Sequence, residues 1–233
     1  MDYTYIDRNV EEIREKIQLA AKVSGRKAED VTLLSAIKSA SADEVNYIHK
    51  NLGIHSVGEN RVQQLLERYE KLDRDGLDLH FIGSLQTNKV KYIIDKVSLI
   101  HSLDSLRLAE EIQKQAEKTN TISGVLVEIN SGNEENKGGI SPSDAERFCI
   151  ELQKYGKIKL FGFMTMAPRC ENKEDYYPYF DKTRTVAEKI WKSTLGYSGS
   201  PILSMGMSES FEAAIECGST MVRIGRSMFS KDL

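Results

Sequence analysis

Eight short apolar or β-branched runs recur along the chain with helix-patterned stretches between them, and this alternation limits the fold more than any other feature. The runs are VTLLSAI (31–37), IHSV (54–57), LHFIG (79–83), VSLIH (97–101), GVLVEIN (124–130), IKLFGFM (158–164), PILSM (201–205) and TMVRIG (220–225). Each has the length and composition of a strand buried on both faces, as parallel strands are. Several intervening stretches open on capping residues: Ser41, Asp104 or Ser105, Ser141 followed by Pro142, and Ser208, whose helix ESFEAAIEC closes on Gly218. A doubly wound sheet more often stops at five or six strands, so eight alternating units predict an α/β protein built as a single (β/α)8 TIM barrel. An extra N-terminal helix precedes the first strand, with Val10, Ile13, Ile17, Ala20 and Ala21 on one face and Gly25 closing it. It is expected to cover the barrel's edge or bottom. The 233 residues contain no low-complexity linker and no strong internal repeat, so residues 1–233 are read as one domain.

Charge narrows the partners. Lys+Arg 32 against Asp+Glu 35 leaves a formal net charge of -3, without the positive field that nucleic-acid binding draws on. A local site for a small anion remains open, because it needs only a few donors. The N-terminus, MDYTYIDRNVEEIREKI, lacks the apolar core of a signal peptide, and no later stretch is long and apolar enough to cross a bilayer. A soluble, cytoplasmic protein is expected. Cys149, Cys170 and Cys217 are far apart and read as reduced thiols; His49, His55, His80 and His101 are equally scattered, which argues against a metal site.

In such a barrel, chemistry collects at the C-terminal ends of the strands. The first strand ends near Lys38, whose amine either reaches for water or is placed to react. The second ends on Gly58, Glu59 and Asn60, and the seventh on MGMSES (205–210), where Ser208 either caps its helix or offers a hydroxyl and N–H groups to phosphate. The eighth ends on RIGRS (223–227), where Gly225 lets the backbone approach a ligand. Strands seven and eight are neighbours in a closed barrel, and their loops are a recurrent phosphate site. Arg223 stands where an apolar residue would be cheaper; if it shares the inward face of Met221 and Gly225 it needs an acceptor, either a ligand atom or a carboxylate such as Glu128. Lys137, in the glycine-rich stretch 129–141, reads as a solvated charge or as a second amine near the site. YYPYF (176–180) reads as core packing or a partner surface.

The segments LLSAIK, VGENRVQQ, HFIGSLQTNKVK, IHSLDS, VLVEINSGNEENKGGI, GFMTMAP and LSMGMSESFEAAIECGSTMVRIG follow one another over nearly the whole chain. In this combination the sequence resembles the pyridoxal phosphate homeostasis proteins, relatives of the barrel domain of alanine racemase. The resemblance implies binding of pyridoxal 5′-phosphate (PLP) as a Schiff base, with the family lysine falling on Lys38. It implies that Asn60 lies beside the ring, that Ser208 binds the phosphate, and that Arg223 faces the pyridine nitrogen. Gly225 and Arg226 would offer backbone N–H groups to the phosphate. The chain departs from the pattern at residue 226, where many relatives have threonine and this chain has Arg226, so only the backbone contact carries over.

Arg223 nearby, together with partial burial, would favour the neutral amine that attacks an aldehyde. An arginine opposite the ring nitrogen also disfavours its protonation and makes the ring a weaker electron sink. Racemases of the related family take a tyrosine from a second domain, and eight βα units account for the chain's length. These features favour a monomeric PLP carrier without strong catalytic activity, which buffers the free aldehyde and hands it to apo PLP-dependent enzymes. Two alternatives stay open: a PLP-dependent amino-acid racemase of alanine racemase type, and a barrel isomerase of sugar phosphates using Lys38 as base or electrophile.

Overall fold

The computed structural model describes residues 2–134 and 138–231. Eight parallel strands pair in chain order and the eighth returns to the first, closing a barrel. They are β1 Thr32–Ala36, β2 Ser56–Glu59, β3 Asp78–Phe81, β4 Leu99–Leu103, β5 Ser123–Ile129, β6 Ile158–Thr165, β7 Ile202–Ser204 and β8 Met221–Ile224. Around them run α1 Thr4–Val23, α2 Ala42–Leu52, α3 Val62–Tyr69, α4 Leu106–Thr119, α5 Ala145–Leu152, α6 Tyr177–Lys189, α7 Phe211–Glu216 and the single turn α8 Arg226–Phe229. A 3-10 helix, Thr87–Tyr92, fills the place of the helix after β3.

The helix starts follow local chemistry. Ser41 caps α2 in a reciprocal box with Glu44, and Ser105, not Asp104, caps α4 by accepting from the Leu108 N–H. The N-terminal helix begins at Thr4, earlier than its apolar pattern suggests, and buries Ile6, Val10, Ile13 and Ile17. It lies against α7, α8 and the turn ahead of β1. It therefore covers the side of the barrel at the β8–β1 seam, taking the place that a full eighth helix would hold. Buried Asn9 fastens this arrangement, donating from Nδ2 to the Met228 and Ser230 carbonyls at 3.2 and 2.8 Å.

Strand alternation decides what the barrel encloses. Two apolar clusters fill part of the interior, Leu34 with Ile82 and Met221, and Leu99 with Leu126 and Met164. Residues two positions away on the same inward faces are polar: His80, His101, Glu128, Ser204 and Arg223, all buried. Gly58 is inward too, where a Cβ would stand 2.7 Å from Leu34 Cδ2, so β2 contributes space to the core.

Candidate functional site

The ends of β1, β2, β7 and β8 meet around a cavity of about 400 Å³ at the barrel mouth, within the range of small-molecule sites. Lys38, Asn60, Ser208, Arg223, Gly225 and Arg226 all line it, together with Ile82, Met166, Met207 and Tyr176.

Two devices set Lys38 at the rim. Arg68 pairs with the buried Glu59 carboxylate and donates to the Ala40 carbonyl at 2.7 Å, tying the chain just after Lys38 to the end of β2. At Gly225 a Cβ would fall 2.4 Å from the Ala36 carbonyl oxygen, so only glycine lets β8 come this close to the residues before Lys38. Lys38 itself is exposed and makes no hydrogen bond or ion pair with the described residues. The partial burial expected of it is not found; its amine stands free at the cavity wall.

The phosphate-type turns differ in detail from expectation. The helix after β7 starts at Phe211 and its N-cap is Ser210, not Ser208. The reason is a preceding turn in which the Met207 carbonyl accepts from the Ser210 and Phe211 N–H groups while Ser210 Oγ accepts from the Met207 N–H at 3.2 Å. Ser208 is thereby released from capping. Its hydroxyl receives a hydrogen bond from Ser227 Oγ at 3.2 Å, which knits the β7 and β8 turns together. The N–H groups of Ser208 and Glu209 have no acceptor among the described residues. Outside them, Arg226 Nη1 lies 2.8 Å from Glu209 Oε1, and Arg169 lies 3.6 Å from the other oxygen.

Arg223 is buried and inward, as alternation requires, but its acceptors are not Glu128. Nη1 donates to the Ser204 carbonyl and hydroxyl at 2.6 and 2.7 Å, and Nη2 to the Thr165 carbonyl at 3.1 Å. Burial pushes the guanidinium down to about 10, opposed by the Glu128 charge, so it is still a cation at neutral pH. Glu128 acts on it only through space, and its own carboxyl is pushed up to about 7 by burial and by Asp104, against the pull of Arg223. Asn60 Oδ1 is buried with no hydrogen-bond partner in the structure. An orphaned polar atom, a free amine, a buried cation and free N–H groups around one cavity suit a ligand with a flat polar ring and an anionic tail.

Lys137 lies outside the described residues. Tyr176 and Phe180 of the aromatic run are core residues, stacked at 6.0 Å, and the Tyr176 hydroxyl is engaged by the Cys170 backbone. The cysteines are free thiols, Cys149 and Cys217 buried and Cys170 half-buried. Sequence reasoning considered Arg223 and Glu128 for the interior but missed His80, His101 and Ser204 beside them. The four histidines, scattered in the chain, form two pairs: His49 Nδ1 with His55 Nδ1 and His80 Nδ1 with His101 Nε2, each at 3.0 Å. Among the described residues no helix is long and apolar enough to cross a membrane.

Residues 2–232 match the family model described as the alanine racemase N-terminal domain. The chain is 44% identical over 220 residues to the pyridoxal phosphate homeostasis protein of Aquifex aeolicus, covering 94% of this chain and 95% of that one. A crystal structure of a Bifidobacterium adolescentis protein superposes with a TM-score of 0.90 at 30% identity, covering 98% of this chain and 97% of the other. PipY of Synechococcus elongatus with PLP bound gives a TM-score of 0.80 at 25% identity, covering 94% and 100%.

Proposed function

The chain belongs to the alanine racemase N-terminal domain family and, within it, to the pyridoxal phosphate homeostasis proteins, and we propose that it is a carrier that holds PLP in this cavity, covalently through Lys38. The observation that carries the reading is the convergence of a free lysine amine, buried Arg223 and the knitted β7–β8 turns on one cavity. PLP supplies an aldehyde, and the Lys38 amine condenses with it, forming a carbon–nitrogen double bond and releasing water. Ser208, with the N–H groups of Gly225 and Arg226, takes the phosphate. Asn60, whose Oδ1 lacks a partner, lies beside the ring. Arg223 faces the ring nitrogen and, as a cation, keeps a proton off it. That choice suits storage more than carbanion chemistry.

The role is intracellular PLP homeostasis and transfer to apo PLP-dependent enzymes by a monomeric cytoplasmic protein spanning residues 1–233 as one PLP-binding domain. A solution mass by light scattering checks the monomer. Racemase activity would need a second proton donor. Tyr176 is the tyrosine at the cavity, and its hydroxyl is occupied by the Cys170 N–H and carbonyl at 3.2 and 3.3 Å.

Purified protein incubated with PLP should develop an imine absorbance band, and borohydride followed by peptide mass analysis should find a pyridoxyl group on Lys38. The reading fails if no band forms, or if Lys38→Ala keeps the band unchanged. Loss of the α-deuteron from labelled amino acids far faster than with free PLP, and dependent on Lys38, would instead favour the racemase.

A further inference from the structure

A continuous line of hydrogen bonds runs through the barrel interior from its floor to the cavity. It starts at Asp78, the first residue of β3 and hence at the N-terminal end of the barrel, where the carboxylate is 47% exposed. His80 Nε2 lies 2.7 Å from Asp78 Oδ2, His80 Nδ1 lies 3.0 Å from His101 Nε2, and His101 Nδ1 lies 3.1 Å from Ser204 Oγ. Ser204 Oγ in turn accepts from Arg223 Nη1 at 2.7 Å. His80, His101, Ser204 and Arg223 are 4% exposed or less, so the line is shielded from bulk solvent.

The donor and acceptor roles follow from the two ends. Arginine only donates, so Ser204 Oγ accepts from it and turns its own hydrogen toward His101 Nδ1. Burial holds His101 well below the ordinary imidazole value, so it is neutral, and with Nδ1 accepting from Ser204 Oγ its single proton lies on Nε2. That proton points at His80 Nδ1, which must accept, and the remaining His80 proton on Nε2 is given to Asp78, a carboxylate that only accepts. Every bond points the same way, from a cation at the cavity to an anion at the floor.

We infer that Asp78, His80, His101 and Ser204 form a positioning relay that fixes the Arg223 guanidinium in the cavity, with Asp78 on the opposite face of the barrel as its distant counter-charge. The inference deepens the PLP reading and rests on it for the ligand that Arg223 meets. Its physical content is that the tautomer of His101 decides which way the Ser204 hydroxyl points. Were the His101 proton on Nδ1, Ser204 Oγ would accept from both His101 and Arg223, and its own hydrogen would have no acceptor among the described residues.

The test uses the cofactor-free full chain labelled with 15N-histidine, with His49 and His55 signals identified through His49→Gln and His55→Gln. Long-range 1H–15N spectra should show His80 and His101 neutral and protonated on Nε2. Asp78→Asn, at the half-exposed floor, should change the His101 ring signals across an intervening residue. The same variant should weaken PLP about three- to tenfold, the worth of one hydrogen bond, and shift the absorbance band of the bound form. Ser204→Ala should give the same two PLP effects from the other end. A His101 protonated on Nδ1, or His101 signals indifferent to Asp78→Asn, overturns the relay; the first needs no variant to fold. Should wild type bind no PLP, the cofactor reading fails while the imidazole spectra still decide the relay.

Discussion

At the scale of single residues, the charges around the cavity have opposite sensitivities. Glu128 is buried on β5 with its carboxyl pushed up to about 7, first by burial and then by Asp104. A group whose folded value is raised stabilises the fold fully below its unfolded value of about 4.3 and loses that contribution as pH rises through 7. Glu128→Gln keeps the shape and removes the titration, so relative to wild type it should gain roughly 3 kcal/mol between pH 4 and pH 8.5. Urea midpoints at the two pH values check this; a constant difference would show that Glu128 ionises freely. Glu209 works at the rim, where its carboxylate holds Arg226 at 2.8 Å beside the turn that would receive phosphate. In Glu209→Gln that arginine is released and a negative charge is lost, so PLP should bind roughly two- to fivefold more tightly at low salt. Titrations repeated at 1 M salt should show the gain fading, because exposed charges are screened there.

At the scale of elements, the barrel was largely readable and its margins were not. Apolar runs located all eight strands, because strands buried on both faces leave an uninterrupted apolar trace. The second strand was displaced, from 54–57 to Ser56–Glu59, since its last two residues look like a turn. Gly58 is there to make room for Leu34, and Glu59 is tolerated inside because Arg68 pairs with it. The Ser208 cap was misplaced for a related reason: a hydroxyl before an apolar run looks the same whether it caps the helix or a preceding turn. The six candidate residues line one cavity at strand ends that the alternation located, and their proposed roles come from the family resemblance; the histidine line was not legible, since it joins β3, β4 and β7 across the barrel. Parity alone would have placed His80 beside Ile82 and His101 beside Leu99 on inward faces, but register and distance need the closed barrel. The α1–α8 clasp is testable at this scale. Asn9→Ala removes both donors to the Met228 and Ser230 carbonyls and should cost about 1–3 kcal/mol, seen as a lower urea midpoint with an unchanged slope.

For the whole molecule, the cavity is the place where the first and last strands close on each other, so ligand binding and barrel closure share the same contacts. Lys38 follows β1, β8 brings Arg223 and the Gly225 turn, and the missing side chain opposite the Ala36 carbonyl lets that turn come close to the residues before Lys38. A ligand joined to Lys38 and held by the β7–β8 turns would therefore bridge the seam of the barrel, and it would bind the folded chain alone. At one hundred times its dissociation constant such a ligand adds about 2.7 kcal/mol of stability. For a chain of this size that is a rise of roughly 5–10 °C in melting temperature. Gly225→Ala should uncouple the two quantities. Its Cβ would fall 2.4 Å from the Ala36 oxygen, so β8 must retreat from β1 and the turn from Lys38. Calorimetry with and without PLP should then find a lower melting temperature in the cofactor-free variant and a much smaller rise on adding PLP. A variant that melts lower yet keeps the full PLP-dependent rise would show that the seam holds the barrel together without shaping the site.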